Sequence, residues 1–391
     1  MNPDEITVGI FHPLSLKFYG GGEVSIINIS KGLEQMGIKN VIYEDESYTG
    51  PERVDDAYLK HAGINLQRVK MSSPSKLHSF LFQPMPSPEM LDKHTIVMIM
   101  LRRVPSRYDM RNSNRSNSKK IFLLHGIGLE RIRFSDPVVM AYELYMRLQL
   151  FIIRRLLING QNYFQVLNPF QRGFLIKMGV PAERIFLIET GMKSDEYAVM
   201  RNDSNFQVLF IGRIENLQKG IKRLLKVAKL TRRKREDIVF KIIGSGSYRL
   251  RGRELSLVSH LGFVPEERKI SELAGSNLLI VTSNIETYGL SLIEGLFSGL
   301  PVVTTLVSGP SGILRHSQGF GAVSSFSPKR LSEDVLKYYD EWGNNKQRYF
   351  DEKVERSKKA RELFNLENMV DMYTGMIKDI LGRSVFPKPI I

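Results

Sequence analysis

Along the first half of the chain, short continuous apolar runs alternate with segments whose apolar residues recur every three or four positions. This alternation predicts strands followed by helices. Short apolar runs have the length of buried strands, and Ile26, Ile29 and Leu33 recur at the spacing of one helix face. Such alternation predicts a parallel sheet with helices on both faces. The predicted strands of this half are residues 6–11, 41–43, 96–101, 121–124 and 163–167.

The same pattern restarts near residue 206. A strand at 206–211 precedes a helical stripe that begins at Ile221, and further strands are predicted at 239–243 and 278–282. The polar, turn-rich residues 201–205 suggest a linker. We therefore predict an α/β protein with two Rossmann-like, doubly wound domains that face a cleft. Their predicted bounds are residues 1–203 and 204–365, followed by a C-terminal helical segment at 366–391.

The composition limits which classes of chemistry and which partners the protein can have. The chain has 391 residues, no cysteine and 42% hydrophobic residues, which excludes thiolate chemistry and a disordered chain. Its formal charge of +15 is compatible with acidic partners or with solubility alone. The sequence shows neither a secretory signal nor an apolar stretch long enough to span a bilayer. We expect a cytoplasmic protein, compatible with peripheral attachment to the inner face of the membrane.

Two glutamates eight positions apart are the leading candidate site. Glu286 follows the predicted strand 278–282, and Glu294 lies on a helix that Gly289 opens. A helix N-terminus after a strand attracts phosphate, whereas carboxylates accept hydrogen bonds from sugar hydroxyls. The combination suggests a site for a sugar attached to a nucleoside diphosphate, with Glu294 on the ribose and Glu286 on the sugar.

These residues resemble a known family. Two glutamates separated by seven residues, an internal Tyr288-Gly289-Leu290 and a trailing run GLPVV resemble the donor-site signature of retaining GT-B glycosyltransferases, in particular glycosyltransferase family 4. The resemblance implies the GT-B fold. It also implies transfer from a nucleotide sugar, UDP- or GDP-linked, to a glycan or lipid-linked acceptor held by the first domain. It gives Glu286 a catalytic role and assigns Tyr288, Gly289 and Leu290 to donor binding.

Two cations follow the first strand of the predicted second domain. Arg213 and Lys219 are placed to hold a diphosphate, because an Arg fork and a Lys ammonium both pair with phosphate oxygens. The resembling family carries both cations here. The alternative is that Lys219 merely begins the basic helix that follows it, most of whose cations we expect to be solvated.

The nucleoside pocket is predicted from the resemblance. The run Gly244-Ser245-Gly246 lacks the third glycine of a dinucleotide fingerprint, since Arg249 stands there. In the resembling family this loop lines the nucleoside, and the backbone near Val264 contacts the base.

The first domain contributes weaker candidates. His125 ends a predicted strand, where the resembling family directs a histidine at the donor sugar, so we assign it a catalytic role; a structural histidine is the alternative. Gly21 and Gly22 match the family's glycine loop, which approaches the donor, although three consecutive glycines are also common in flexible turns. His12 is a lesser candidate.

No Asp-x-Asp occurs in the chain, and no His and Asp cluster has metal-ligand spacing. We therefore expect no metal and no cofactor beyond the donor. The loop before Glu286 departs from the family, since Thr282-Ser283-Asn284 replaces a Pro-Ser. In the family the last helix returns to the first domain; an ordinary packing helix of the second domain is the alternative.

Other functions remain open. A related GT-B enzyme, an epimerase or phosphorylase, would share the donor site, and product analysis would distinguish it. A basic nucleic-acid-binding protein fits the charge, but the sequence has no nucleic-acid motif, so nucleic acid is not expected.

Two stretches suggest an acceptor at a membrane surface. Residues 102–120 hold seven cations and one acid, Asp109, and their Asn and Ser content predicts a loop. Residues 142–158 are amphipathic. Together they suggest contact with an anionic membrane; a solvated loop above a core helix is the alternative.

Overall fold

The structure is a computed structural model that describes residues 6–46, 52–71, 81–131, 133, 136–159 and 162–382. The chain forms two compact units. The first contains residues 1–129, 141–192 and 366–391, and the second contains residues 130–140 and 193–365. Residues 130–140 and 193–203, expected in the first domain, therefore belong to the second unit.

The first unit is built on a seven-stranded parallel sheet of order β3-β2-β1-β4-β5-β6-β7. Ile10 of the first strand lies opposite Ile42 and Met98 of its two neighbours, and all three enter one apolar core. The strands are β1 (Thr7–His12), β2 (Lys39–Asp45), β3 (Leu66–Val69), β4 (Ile96–Met100), β5 (Lys119–Leu123), β6 (Asn162–Val166) and β7 (Ile185–Leu187).

Helices cover both faces of this sheet. The first helix starts at Gly21, because Gly20 is its N-cap and the Glu23 carboxylate accepts the Gly20 N–H at 2.9 Å. The helices are α1 (Gly21–Gln35), α2 (Asp56–His61), α3 (Pro88–Leu91), α4 (Arg107–Ser113), α5 (Pro137–Asn159) and α6 (Pro169–Lys177).

The second unit repeats the architecture on a six-stranded parallel sheet of order β10-β9-β8-β11-β12-β13. Its strands are β8 (Gln207–Ile211), β9 (Val239–Ile243), β10 (Ser259–Gly262), β11 (Leu278–Val281), β12 (Val302–Thr304) and β13 (Gly321–Val323). Its helices are α7 (Ile221–Arg232), α8 (Glu266–Gly275), α9 (Leu290–Phe297), α10 (Ser308–Leu314), α11 (Pro328–Asn344) and α12 (Lys346–Leu363). The prediction of two parallel-sheet α/β domains is confirmed.

The last helix, α13 (Leu366–Leu381), packs in the first unit. Its buried side chains Met369, Tyr373 and Ile377 join the core that α1 and strands β1, β2, β4 and β5 also line. Of the two alternatives for this segment, the structure therefore shows the helix returning to the first unit; residues 383–391 lie outside the described residues.

Residues 102–120 are only in part the loop that their composition predicted, because α4 occupies Arg107–Ser113 and β5 begins at Lys119. Ser106 caps α4 by accepting the Asp109 N–H at 3.1 Å, and Met110 is buried in the core. Lys120 is buried in β5, where its ammonium donates to the Ser116 and Ser118 carbonyls at 2.9 and 3.1 Å. Ser106 and Lys120 thus have structural roles as a helix cap and a strand residue.

In the described ranges, no helix combines the length and the apolar composition needed to cross a bilayer.

Candidate active site

The predicted donor residues lie where the strand order of the second sheet reverses. β8 and β11 are neighbours in the sheet although their sequence positions are far apart, and ligands in such sheets bind at the carboxyl ends of these strands. Gly212 and Arg213 follow β8, and the loop that carries Glu286 follows β11.

Asn284 ties these two loops together. Its side-chain amide donates to the carbonyls of Asn216 at 2.9 Å and Leu217 at 3.1 Å, and its backbone N–H donates to Gln218 O at 2.6 Å. Asn284 lies in the part of the sequence that departs from the resembling family. The departure therefore places a side chain that fixes the β11 loop against the β8 loop.

Arg223 braces the same loop from α7. Its guanidinium donates to Thr282 O at 2.7 Å and to Asn284 Oδ1 at 2.8 Å, while Arg133 donates to Asn284 O at 2.9 Å. Burial, with a contribution from Arg133, lowers the pKa of Arg223 to about 10. Arg223 is an exception to the expectation that most cations after Lys219 are solvated, because the sequence period does not show that this side chain turns inward.

Glu286 and Lys219 form an ion pair across the two loops. The Glu286 carboxylate also accepts the Ser283 hydroxyl at 3.2 Å. The side chains of Lys219 and Glu286 keep 18% and 15% of their surface exposed, so both remain within reach of a ligand. In this state the cation and the carboxylate neutralise each other, and a diphosphate could replace the carboxylate as the partner of Lys219.

Glu130 is a contact that the sequence did not reveal. Its carboxylate accepts the Glu286 N–H at 3.2 Å and the Ser308 N–H at 2.8 Å, and the Ser308 hydroxyl at 3.0 Å. Glu130 thereby links the Glu286 loop to the start of α10. Nothing in the local sequence around residue 130 predicts this, because the partners lie more than 150 positions later in the chain.

Gly289 caps α9 in a left-handed conformation with φ of +106°, which favours glycine. Tyr288 before it is buried and Leu290 after it is half-buried. The helix spans eight residues, and the first N–H groups of a helix have no partner within the helix itself, so such groups can bind a ligand. Glu294 lies one turn further along and is 8% exposed.

Two partners hold Glu294. The Lys269 ammonium lies 2.5 Å from its carboxylate, and the Tyr197 hydroxyl donates to it at 3.3 Å. Burial alone would lower the pKa of Lys269, but Glu294 and Glu266 outweigh burial and raise it. Burial raises the pKa of Tyr197, and Glu294 raises it further. Lys269 is therefore charged and Tyr197 a hydroxyl donor at neutral pH.

The remaining donor candidates lie on the loops after β8, β9 and β10. Arg213 donates to the Gln218 side chain. Gly244 has φ of +138°, and a Cβ there would lie 1.9 Å from Gly212 O, so no other residue fits without moving the β8 loop. Val264 is buried just beyond β10.

His125 is a buried, neutral imidazole in the first unit. Its Nε2 lies 2.5 Å from Gln165 Oε1 and its Nδ1 lies 3.1 Å from Ser25 Oγ. Because the Gln165 oxygen only accepts, Nε2 carries the proton and Nδ1 accepts the serine hydroxyl. Burial lowers the pKa of His125 to about 4 despite the bond to Gln165. Its catalytic role stays a prediction.

The glycine-rich start of α1 is held by the buried carboxylate of Glu23. Glu23 lies 3.2 Å from His12 Nε2 and accepts the Arg102 guanidinium at 3.0 Å. Although burial opposes ionisation, His12 and Arg102 hold the pKa of Glu23 at about 2. Gly21 and Gly22 form the first turn of α1 rather than a free loop.

The structure thus gathers the second-unit candidates on adjacent loops of one sheet. In the first unit it places His125 just after the end of β5 and Gly21 and Gly22 in the first turn of α1. Sequence reasoning missed Glu130, Lys269, Tyr197 and Arg223. The gathered set combines two cations, a helix N-terminus and two carboxylates, which suits a ligand with a diphosphate and several hydroxyls. Among the described residues, no group of three or more carboxylate or imidazole side chains is arranged to hold a metal ion.

Solved structures share this architecture. The structure of HepE from Anabaena in complex with UDP and glucose superimposes with a TM-score of 0.69 at 14% identity, covering 95% of this chain and 99% of that one. The chain has the GT-B fold. At this identity the likeness establishes the GT-B fold alone.

Sequence comparison locates a family match in the second unit. Residues 195–357 match the family described as glycosyl transferases group 1. This range contains the two cations, both glutamates and the Lys269 and Tyr197 partners of Glu294.

Curated relatives match over shorter stretches. The 2-deoxystreptamine N-acetyl-D-glucosaminyltransferase of Niallia circulans is 31% identical over 28% of this chain and 30% of its own length. The lipopolysaccharide glucosyltransferase WaaG of Escherichia coli strain K12 is 25% identical over 50% of this chain and 51% of its own length. The chain thus matches about half or less of each relative's length.

Proposed function

We propose that this GT-B protein is a glycosyltransferase that moves a sugar from a nucleoside-diphosphate sugar to an acceptor hydroxyl with retention of configuration. The observation that carries the proposal is the pair Glu286 and Glu294, each held by a lysine on adjacent loops of the second unit. The family match over residues 195–357 supports the same activity.

Each carboxylate takes a different part of the donor. Glu294 is fixed by Lys269 and Tyr197, which suits a rigid acceptor for ribose hydroxyls. Glu286 is more accessible, and its partner Lys219 can turn to a phosphate, which suits contact with the transferring sugar. Arg213, Lys219 and the first turn of α9 bind the diphosphate.

The reaction needs charge stabilisation more than proton transfer. The bond between the sugar C1 and the diphosphate oxygen breaks, and a bond between C1 and the acceptor oxygen forms on the same face. The acceptor proton passes to the departing phosphate oxygen, so no dedicated general base is required. Lys219 and Arg213 stabilise the negative charge that develops on the diphosphate, and we propose that no metal ion is needed.

The donor is proposed to be UDP- or GDP-linked and the acceptor a glycan or a lipid-linked sugar. The HepE complex with UDP and glucose supports testing UDP-glucose first. The names of the curated relatives support a hexose or an N-acetylhexosamine as the sugar.

A donor screen tests the proposal. The full chain is incubated with a panel of nucleotide sugars and candidate acceptors, and free nucleoside diphosphate and glycoside product are measured. Proton NMR of the early product reports the anomer, and an inverted anomer would refute retention. An isomerised nucleotide sugar without any glycoside would instead indicate an epimerase.

Glu286→Gln provides the matched test of the site. We expect turnover to fall about a hundredfold, on the scale of losing one electrostatic stabiliser, while donor affinity stays near wild type. Glu267→Gln removes an exposed carboxylate of α8 and serves as control. Equal turnover of the two variants would remove Glu286 from the catalytic machinery.

A further inference from the structure

The outward side of α5 carries a row of large apolar side chains. We call this row the apolar stripe; each member keeps between 40% and 64% of its surface exposed. Spacings of three and four residues place its members on one side of the helix. The stripe consists of Leu144, Tyr145, Leu148, Phe151 and Ile152.

The opposite side of α5 is apolar as well. Met146, Leu150 and Ile153 are buried in the core of the first unit. The acid of this stretch, Glu143, is itself buried, so no acidic side chain interrupts the stripe. A helix needs only one apolar face to pack on a sheet, and a second, exposed one marks a contact surface.

A row of arginines accompanies the stripe. Arg103, Arg107, Arg111 and Arg115 recur every four residues along α4 and its flanks, and all four are exposed. Among the described residues, Arg107, Arg111 and Arg115 form no ion pair, and the acid within this segment, Asp109, is buried and bonded to Ser106. We call these four residues the arginine row.

The two rows belong to one layer of the first unit. The side chain of Asn114, which caps the end of α4, donates to Leu156 O of α5 at 3.2 Å. Met110 of α4 and Met146 of α5 are buried in the same core, so both helices cover the same face of the sheet. The Tyr145 hydroxyl lies close enough to Arg103 to oppose the lowering of its pKa by burial.

We propose that the apolar stripe and the arginine row form a docking surface for an anionic lipid bilayer, on which α5 lies in the interface without crossing it. Apolar side chains would enter the acyl boundary while arginines meet lipid phosphates. A second copy of this chain fits less well, because stacking two such surfaces would bring two arginine rows together without compensating acids.

Vesicle binding of the full chain tests the surface. We expect binding to vesicles that mix phosphatidylcholine with phosphatidylglycerol, weak binding to phosphatidylcholine alone, and release as salt is raised. Arg107→Gln, Arg111→Gln and Arg115→Gln combined should weaken binding at least tenfold, since each cation at an anionic surface adds roughly fivefold. Leu148→Gln, Phe151→Gln and Ile152→Gln combined should abolish it.

The matched control removes the same charge elsewhere. Lys222, Lys226 and Lys229 are exposed on α7 of the second unit, and their change to Gln should leave binding within about twofold of wild type. Thermal melting monitored by circular dichroism verifies that every variant folds. Equal loss in the control, or no binding by wild type at low salt, would overturn the proposal. Light scattering that shows a stripe-dependent dimer without vesicle binding would also overturn it.

Discussion

The polar residues at the strand ends of the two sheets differ in burial and in how completely their hydrogen bonds and charges are paired within their own unit. In the first unit, His125 is neutral and bonded to Ser25 and Gln165, and Glu23 is enclosed by His12 and Arg102. In the second unit, charged side chains meet in pairs that remain partly exposed. Two sheets with the same reversal of strand order thus differ in the accessibility of their carboxylates: Glu23 is fully buried, whereas Glu286 and Glu294 keep part of their side chains exposed.

The difference separates residues that hold the fold from residues that can exchange partners. A buried group with both hydrogen-bonding positions filled gains little from a ligand, whereas a partly exposed ion pair can exchange one partner for a phosphate. We therefore expect ligand-dependent effects to concentrate in the second unit, and five experiments measure how far this contrast extends.

Lys219→Ala should give the largest effect. Removing this cation should lower turnover by about a hundredfold or more, because it is proposed to stabilise the leaving diphosphate. The measurement is the initial rate of nucleoside diphosphate release.

Lys222→Ala is the control for Lys219, since Lys222 lies three residues later and is exposed in the first turn of α7, the helix that follows the Lys219 loop. Its rate should stay near wild type. If the two alanine variants were equally active, the ion pair with Glu286 would be structural and the contrast between the units would lose its main support.

Glu294→Ala should weaken donor binding by roughly tenfold to a hundredfold, the range for losing a charge-assisted hydrogen bond of about 1.5–3 kcal/mol. Isothermal titration calorimetry with the donor or with UDP measures this directly. Unchanged affinity would show that Glu294 does not contact the nucleotide.

Tyr197→Phe should weaken donor binding less than Glu294→Ala, because it removes one hydrogen-bond donor to Glu294 and leaves Lys269 in place. We expect a loss of only a few fold, because this hydrogen bond is long at 3.3 Å and Lys269 still holds the carboxylate.

For His125 we expect an effect on the pH dependence of folding stability and not on ligand binding. Its folded pKa of about 4 lies below the unfolded value near 6.5, so the unfolded chain binds more protons between these values. Stability from this residue is present above about pH 6.5 and is lost as the pH falls toward 4.

The measurement is the melting temperature at pH 7 and pH 5 for wild type and His125→Asn. The variant should lose less stability on acidification than wild type. An identical change in melting temperature in both proteins would mean that the pKa of His125 is the same in the folded and unfolded chain. The contrast between the units would then not hold for His125.

Excess chelator should have the smallest effect, with activity unchanged. Arg213 and Lys219 are proposed to supply the positive charge that a metal would otherwise provide. Loss of activity in chelator, restored by magnesium or manganese, would refute metal independence.

Periodicity predicted the strands that carry continuous apolar runs. The predicted strand at 239–243 coincides with β9, and that at 278–282 overlaps β11. The edge strands β3 and β13 escaped prediction, because a four-residue LQRV and a three-residue GAV are too short or too polar to produce a signal.

Candidate residues were easiest to predict on the segments that follow a strand. Arg213, Lys219 and Glu286 were placed by that rule. Lys269 and Arg223 were not, because a charged residue on an amphipathic helix gives no sign in the sequence that it bends toward a loop. Such contacts depend on the sheet order, which brings distant segments together.

The return of α13 to the first unit has a consequence for biosynthesis. A ribosome makes residues 366–381 only after all of residues 193–365, yet Met369, Tyr373 and Ile377 complete the core beside α1. Until then, the nascent first unit presents an open apolar face lined by Ile26, Ile29 and neighbouring side chains. The first unit therefore completes its folding only after the second unit has been synthesised. A chaperone that covers the apolar face of α1 would bind during that interval.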